Sequence, residues 1–543
     1  MFFKKIKLLF KSFLNSATLI KILIGLIILG AFFYINIKTI DPDLGWHLRV
    51  GQTIFSDRAI PRFDQFSFTM NGFSWVDHEW LVDALLWQSY SKNLWWIVII
   101  IFTLVSFVPF FSWLKRACSI YSLTLILLIA TALIQVRFLG IRPQMLSFFL
   151  FWLVFEILFK HYWPASTNSS SKKRLLFLPL IFLFWANLHA GFASGLMLFG
   201  LLIFGSYLSW LRQKIKNCRS QKFEITIFFL SLLATLVNPY GIQLYKEILS
   251  VLFSANTAKY IAEWQSLFAF GSLYYIGMIL AVILFALVKN YKKYPFGIFL
   301  AAALFLLSFL KSIRMIIPFL VISVPLTLYG IELVKKDIFR ARAAKPFSPK
   351  ETGSIKIAGW AALAIVLIFF IWELTHYHFF LMPEKSALFL QKYLQQQNSA
   401  RNVLNDYAWG GYLLWKIPGS KIFIDGRMPH WQDKNGISAM EDYVKIFSTD
   451  NSVNWQGILK KWQITEIIMP NPSSENGNTN SITRLRIKLK SFFPESAAIN
   501  QFLFPASTQD KRNIIEKTLR QNGWEIIYQD QVAVVLSCGN CEH

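Results

Sequence analysis

The chain has 543 residues, 55% of them hydrophobic, and a formal net charge of +25. Soluble globular proteins are about 45–50% apolar, and here the excess is grouped in runs of roughly 16–22 residues, long enough to cross about 30 Å of hydrocarbon. The composition therefore excludes an ordinary soluble protein and predicts a polytopic membrane protein. The sequence carries no nucleic-acid-binding signature, so we expect no nucleic acid partner despite the positive charge.

The apolar runs predict about eleven helical spans. The first run is followed by DPD with no small-residue cleavage site, so we predict an uncleaved span rather than a signal peptide. The predicted spans are residues 19–37, 94–113, 120–136, 144–159, 175–188, 192–210, 224–239, 271–288, 295–310, 313–334 and 355–374.

Alternate connections between these spans differ in charge. One set contains KKIK, RQKIKNCR and KKDIFRARAAK, whereas the other set has far fewer basic residues and most of the acidic ones. Because basic loops stay in the cytoplasm, we predict a multi-pass protein of the cytoplasmic (inner) membrane, with a cytoplasmic N-terminus and everything after about residue 375 outside. The unusual polar motifs all fall on the outer side, which predicts a site at the outer membrane surface.

The first outer loop, residues 38–93, is long and begins with IDPDLGWHLR. In an extended segment the carboxylates of Asp41 and Asp43 can point the same way. Such a pair can bind a hard divalent cation such as Mg²⁺ or Mn²⁺, or one member can act as a general base. The alternative is a turn at a helix end with solvated acids. Carboxylates at a membrane boundary tend to be functional, which favours the first interpretation.

The same loop contains WVDHEWLVD. It lacks the second histidine of H-E-x-x-H, so a zinc protease is excluded. His78 and Glu79 could supply a second acid–base or metal-binding group. The alternative is an interfacial helix with Trp75 and Trp80 at the membrane surface. We also predict short surface helices in the aromatic stretch before this motif.

Three arginines lie near the outer ends of predicted spans. Arg137 and Arg142 bracket the turn between spans three and four, and Arg314 lies just inside span ten. Guanidinium groups suit a lipid phosphate, which they can bind with two hydrogen bonds. The alternative is that they extend toward lipid headgroups; for Lys311 we prefer that alternative.

Two further outer motifs hold candidate contacts to a sugar or an acceptor. His189 lies in NLHAG, where a packing role is the alternative, and Glu263 with Trp264 lies in AEWQS. Aromatic and acidic side chains suit a sugar site, but AEW alone is a weak signal.

The composition changes at residue 379. We predict a transmembrane domain over residues 1–378 and a soluble extracytoplasmic α/β domain over residues 379–543. Strands are predicted at RNVLN, SKIFID, TEIIMP, WEIIYQD and QVAVVLS, with helices at SALFLQKYLQQQ, ISAMEDYVKIF and VNWQGILKKW. NDYAWGGY and IDGR would end strands, and for Asp425 and Arg427 we favour an ion pair over a ligand site.

These motifs resemble the GT-C superfamily of membrane glycosyltransferases, whose members include the protein O-mannosyltransferase, aminoarabinose transferase and rhizobial lipopolysaccharide transferase types. The similarity is greatest to a bacterial branch and rests on DPDLGWHLRVGQTI, IPRFDQFSFTMNGFSWVDHEWL, RPQ, NLHAG, NPYG, EWQS, NDYAWGGYL and FIDGR. The resemblance covers nearly the whole chain. The long motif in the first outer loop is specific to this branch, whereas the short motifs are not.

The resemblance implies transfer of a sugar from a polyprenyl-phosphate donor to an envelope glycan, lipid or protein. Asp43 or Asp41 would be the base, alone or with a divalent cation, and Glu79 would be the second acidic group. Arg142 and Arg314 would hold the departing phosphate. This assignment rests on their positions in the chain and not on a family motif.

Two alternatives stay open. One is a non-catalytic binding or assembly factor for envelope polysaccharide, which predicts that Asp41 and Asp43 tolerate replacement. The other is a lipid-linked oligosaccharide transporter, which predicts ionisable residues deep inside spans; the sequence has few, and Glu156 lies toward a span's inner end.

Overall fold

A computed structural model of the chain describes residues 16–163, 169–213, 221–267, 274–341, 349–377, 379, 381–397, 401–447, 454–471 and 516–539. The chain divides into two compact units. The first, which we call the helical unit, comprises Met1–Thr39, Asn93–Gly241 and Ser272–Phe379; the second, the mixed unit, comprises Ile40–Lys92, Ile242–Gly271 and Phe380–His543.

The helical unit contains the long apolar helices. Within the described ranges, seven helices are long and apolar enough to cross a membrane. These are Ser16–Lys38, Trp95–Arg116, Pro143–Tyr162, Phe192–Gln213, Tyr274–Asn290, Ile316–Ala341 and Pro349–Thr375. The remaining helices of this unit are shorter: Ile120–Gln135, Ser169–Leu175, Leu178–Leu188, Lys222–Ala234 and Phe296–Lys311. The prediction of a polytopic α-helical membrane protein is confirmed, whereas the count of eleven spans stays a prediction.

Local sequence sets the helix ends that matter for the site. Pro143 occupies the first turn of its helix directly after Arg142, a position that suits proline because it needs no amide hydrogen. The helix Leu178–Leu188 ends at His189, whose backbone is extended. A short 3₁₀ turn, Ile313–Met315, carries Arg314 into the helix Ile316–Ala341.

The mixed unit is built around a four-stranded sheet. Its strands are β1 (Asn402–Asn405), β2 (Ile464–Pro470), β3 (Trp524–Gln529) and β4 (Ala533–Cys538). The spatial order is β1-β2-β4-β3, with β1 parallel to β2 and the other pairs antiparallel. The helices of the unit are Leu44–Asp57, Trp80–Ser91, Gln243–Phe253, Ala255–Tyr260, Glu384–Gln395, Gly410–Lys416, Ala439–Ile446 and Trp455–Lys461.

Two local predictions were wrong. The aromatic stretch of the first loop, residues 63–79, forms no helix; it is held instead by bridges such as Ser67 to Ile422. SKIFID forms that single bridge rather than a strand. The two segments satisfy backbone groups against each other: the Phe68 N–H donates to the Ile422 carbonyl at 3.0 Å, and the Ile422 N–H donates to the Phe66 carbonyl at 3.1 Å.

Candidate active site

The DPD motif forms a tight turn that starts a helix. The Asp43 N–H donates to Oδ1 of Asp41 at 3.0 Å, and Asp43 immediately precedes the helix Leu44–Asp57. Asp43 has right-handed helical torsions, so the two carboxylates are not presented by an extended segment. Asp41 is 6% exposed and Asp43 is partly exposed. The turn thus uses Asp41 for positioning and leaves Asp43 as the more accessible carboxylate.

Asp43 lies against the IDGR motif. A Cβ atom on Gly426 would collide with the Asp43 carboxylate, so only glycine fits there. Burial raises the pKa of Tyr407 well above its ordinary value, and the neighbouring carboxylates of Asp43, Asp425 and Glu263 raise it further. Acidic groups from three distant segments therefore influence the same tyrosine electrostatically.

A second polar cluster lies one turn along the same helix. His47 is buried and its Nδ1 lies 2.6 Å from Oδ1 of Asp83. Its Nε2 lies 3.7 Å from Oε2 of Glu79, while His78 Nε2 lies 3.7 Å from Oε1 of the same carboxylate. Glu79 is thus placed between two imidazoles, with Asp83 holding the buried one. The sequence pointed to Glu79 and His78, whereas His47 was missed.

Asp77 and Asp83 form a buried carboxyl pair in this cluster. Burial raises the pKa of both groups well above the ordinary value, and the negative charge of Asp83 adds to the effect on Asp77. A side-chain hydrogen bond with Asp77 acts against the effect of burial and lowers the pKa of Asp83. Burial and the neighbouring negative charges therefore favour retention of a proton by these two groups.

Arg427 joins the first loop to the C-terminal part of the mixed unit. Its Nη1 donates to Asp64 at 3.1 Å, and its Nε donates to Asp425 at 2.9 Å. The guanidinium lies over the rings of Trp75, at 4.9 Å, and Trp431, at 5.5 Å. The predicted Asp425–Arg427 ion pair is confirmed, and the further contacts of Arg427 with Asp64, Trp75 and Trp431 make it a buried link between the two segments.

The helical unit brings together a polar group of its own. Trp185 Nε1 donates to Ser147 Oγ at 2.7 Å, and Ser147 Oγ lies 2.7 Å from His189 Nδ1. His189 Nε2 lies 3.4 Å from Nη2 of Arg314. His189 and Arg314, chosen from separate motifs, are therefore neighbours. Ser147 and Trp185 were missed because a lone serine and tryptophan inside apolar helices carry no sequence signal.

The other predicted cations lie at helix ends of the same unit. Arg142 is partly exposed and precedes the helix that carries Ser147 one turn further on. Arg137 and Lys311 are exposed. Glu263 and Trp264 lie in the mixed unit on a short 3₁₀ turn, both partly exposed.

The described part of the chain contains no group of three or more His, Cys, Asp and Glu side chains that could hold a metal ion. Asp41 and Asp43 alone supply too few ligands to complete a site. Their role as metal ligands stays a prediction.

No protein-family model matches the sequence, and no curated protein matches it. Solved structures do resemble it. The oligosaccharyltransferase of Archaeoglobus fulgidus in its apo form superposes with a TM-score of 0.56 and 12% identity, covering 86% of this chain and 71% of that one. Its complex with an inhibitory peptide and a dolichol-phosphate, named AglB, gives 0.56 and 10%, covering 84% and 69%.

A further structural neighbour is ArnT from Cupriavidus metallidurans bound to undecaprenyl phosphate, with a TM-score of 0.43 and 10% identity, covering 97% of this chain and 99% of that one. At 10–12% identity the likeness is one of architecture: the chain shares the fold of the Archaeoglobus fulgidus oligosaccharyltransferase.

Proposed function

We propose that this protein is a glycosyltransferase that moves a sugar from a polyprenyl-phosphate donor to a cell-envelope acceptor at the outer membrane face. The observation that carries the proposal is the partly exposed Asp43 carboxylate, which lies at a helix start, against Gly426, on a turn closed by Asp41. The structural neighbours add support, since one is a complex with a dolichol-phosphate.

Asp43 is the proposed base. Its carboxylate takes the proton from an acceptor hydroxyl as that oxygen bonds to the anomeric carbon, and the bond from that carbon to the phosphate oxygen breaks. Direct displacement inverts the sugar carbon, by analogy with one-step glycoside chemistry. Asp41 contributes indirectly, because its Oδ1 accepts the Asp43 N–H and fixes the turn. General-base assistance of this kind is worth about 10²–10⁴ in rate.

The leaving group is a lipid phosphate, which needs cationic and N–H donors where its charge develops. We assign that role to Arg314 and Arg142, with Arg137 further out on the same turn. Arg314 is only partly exposed, and a guanidinium can bind phosphate oxygens with two hydrogen bonds.

Glu79 is the proposed second acidic group, held between His47 and His78. Glu263 and Trp264 are the proposed contacts to sugar or acceptor.

The test is transfer of label from radiolabelled polyprenyl-phosphate sugars by purified full-length protein in lipid, comparing wild type with Asp43→Asn and Asp41→Asn. We expect Asp43→Asn to lose about 100-fold or more in turnover. Asp41→Asn should lose less, because an amide oxygen can still accept the Asp43 N–H. Asp57→Asn, at an exposed carboxylate on the same helix, is the matched control. Equal turnover by Asp43→Asn and wild type would refute the assignment and favour a binding or assembly factor.

A further inference from the structure

The mixed unit includes a segment that lies, along the chain, between two parts of the helical unit. Residues Ile242–Gly271 belong to the mixed unit, whereas Asn93–Gly241 and Ser272–Phe379 belong to the helical unit. The chain reaches the segment from the apolar helix Lys222–Ala234 and continues to Tyr274–Asn290, one of the helices long and apolar enough to cross a membrane. The segment is therefore tethered to apolar helices at both ends.

The first helix of this segment, Gln243–Phe253, is fixed to the mixed unit by one face. Leu244 is buried, and Glu247 Oε1 lies 2.8 Å from His430 Nε2. Leu244 and Glu247 are three residues apart in the helix, so they share one side of it, which we call the anchored face. Beyond the helix, the Ile261 side chain packs against the core of the mixed unit.

The opposite face of this helix carries exposed apolar side chains. Ile242, Leu249 and Phe253 follow one another at intervals of seven and four residues, which places them in one line along the helix. Their side chains are 62%, 51% and 79% exposed, and the value for Phe253 is the highest among the large apolar side chains of the described residues. Leu252 is exposed as well and widens this line on one side. We call these four residues the apolar ridge.

A third side of the helix is polar. Gln243, Lys246 and Ser250 are exposed, and their spacing of three and four residues places them beside the apolar ridge, on the side away from Leu252. A surface helix of a soluble domain needs only two faces, an apolar one toward the core and a polar one toward water. This helix already has both, so the apolar ridge requires a second apolar environment.

The position and composition of the ridge favour a lipid surface as that environment. The ridge begins at Ile242, directly after residues 235–241, which follow the apolar helix Lys222–Ala234. Lys246 lies beside the ridge, where a lysine can rest its methylene groups on apolar surface and extend its ammonium group to lipid phosphates. Helices with an apolar face next to a polar one lie in membrane interfaces, with the apolar face about 5–10 Å into the boundary of headgroups and acyl chains.

The small size of the ridge argues against a second copy of the chain as its partner. Stable interfaces between proteins bury about 1,200–2,000 Å² in total. Four side chains on one eleven-residue helix supply only a fraction of that area. A bilayer has no such requirement, because its surface is continuous around the spanning helices and each apolar side chain partitions into it separately.

We propose that the apolar ridge of Ile242, Leu249, Leu252 and Phe253 lies in the headgroup region of the membrane, so that the helix Gln243–Phe253 docks the mixed unit onto the lipid surface. The anchored face transmits this docking to the rest of the unit through Leu244 and the contact of Glu247 with His430. The proposal does not depend on the proposed transfer reaction.

The test places a fluorescent amino acid at one position at a time in the full-length protein in lipid nanodiscs. Phe253 and Leu249 report on the ridge, and Ser250 and Gln243 are matched controls on the polar side of the same helix. Quenching is measured with brominated phospholipid in the bilayer and with iodide in the water. We expect brominated lipid to quench the two ridge positions at least about threefold more than the controls, and iodide to give the reverse order.

Three results would overturn the proposal. Equal access of iodide to the ridge and control positions would place the ridge in water. Protection of the ridge from both quenchers would assign it to a protein contact, and loss of that protection in nanodiscs holding one copy would identify a second copy as the partner. Lipid quenching that falls when a polyprenyl phosphate is added would assign the ridge to the tail of that lipid.

The quenching pattern and transfer activity are separate readouts. A protein that transfers no sugar but shows the expected quenching pattern would contradict the proposed function and leave this proposal standing. A protein that transfers sugar while iodide reaches the ridge would do the opposite.

Discussion

At the scale of single residues, the structure separates carboxylates that look alike in the sequence. Asp41 and Asp43 stand two residues apart, yet one is buried as a hydrogen-bond acceptor and the other is partly exposed beside Gly426. The sequence could predict that this pair mattered, because charges at a membrane boundary are costly. It could not predict which member would be accessible, since that depends on a turn closed by a single side-chain hydrogen bond.

The raised pKa values of Asp77 and Asp83 predict how the stability of the folded protein depends on pH. The raised pKa of Asp77 means that the folded state holds a proton that the unfolded chain releases at lower pH. This contribution to stability is complete below the unfolded pKa of about 3.9 and is lost as pH rises through the raised pKa. In Asp77→Asn an amide N–H replaces that proton at every pH, and the amide oxygen can still accept the Glu79 N–H.

We therefore expect Asp77→Asn to match wild type near pH 4 and to exceed its stability by about 1–3 kcal/mol at higher pH. Thermal unfolding of the purified protein over a pH series measures the difference. The exposed Asp57→Asn should show no such trend. A variant that is less stable than wild type at every pH would mean that Asp77 is needed as a carboxylate.

At the scale of elements, close packing of two helices holds the proposed base in place. The helix Leu44–Asp57 packs on the helix Gly410–Lys416, and glycines line the contact. A Cβ atom at Gly411 would lie 2.6 Å from the Pro42 carbonyl and 3.1 Å from the Trp46 ring. NDYAWGGY follows the end of β1, as its sequence predicted, and its glycines make the contact between the two helices.

Gly411→Ala should force these helices apart and destabilise the mixed unit by about 1–3 kcal/mol, the usual range for overpacking. It should also lower turnover, since the shift acts on the turn that carries Asp43. Gly277→Ala is the control, because that glycine lies in a helix and a Cβ there meets nothing within 4 Å. Equal unfolding midpoints for Gly411→Ala and wild type would show that the contact is looser than described.

At the scale of the whole molecule, composition and periodicity predicted much of the fold. The apolar runs predicted the long helices, and four of five strands and all three helices proposed after residue 379 are present. What the sequence could not predict is that the first loop packs into the same unit as the C-terminal residues. That packing depends on contacts such as Asp64 with Arg427, which are separated by 363 positions and leave no periodic signal.

The buried Arg427 link should dominate the attachment of the first loop. Arg427→Leu leaves Asp64 and Asp425 buried without their cation, so we expect a loss of about 3–5 kcal/mol in unfolding free energy and faster proteolysis of residues 59–79. Lys421→Ala is the matched control, because its exposed bond to Asn71 joins the same two segments. It should change stability by less than about 1 kcal/mol. Comparable effects of both substitutions would contradict a dominant role for Arg427.

The measurement that tests the central claim most directly is the donor requirement of the wild-type protein. Purified full-length protein in lipid is offered the same labelled sugar on a polyprenyl phosphate and on a nucleotide diphosphate, with a panel of envelope glycans, lipids and peptides as acceptors. We expect label to move from the polyprenyl phosphate alone, releasing the lipid phosphate in equal amount. Transfer only from the nucleotide donor, or no transfer from any donor by protein that still binds the lipid phosphate, would contradict the claim.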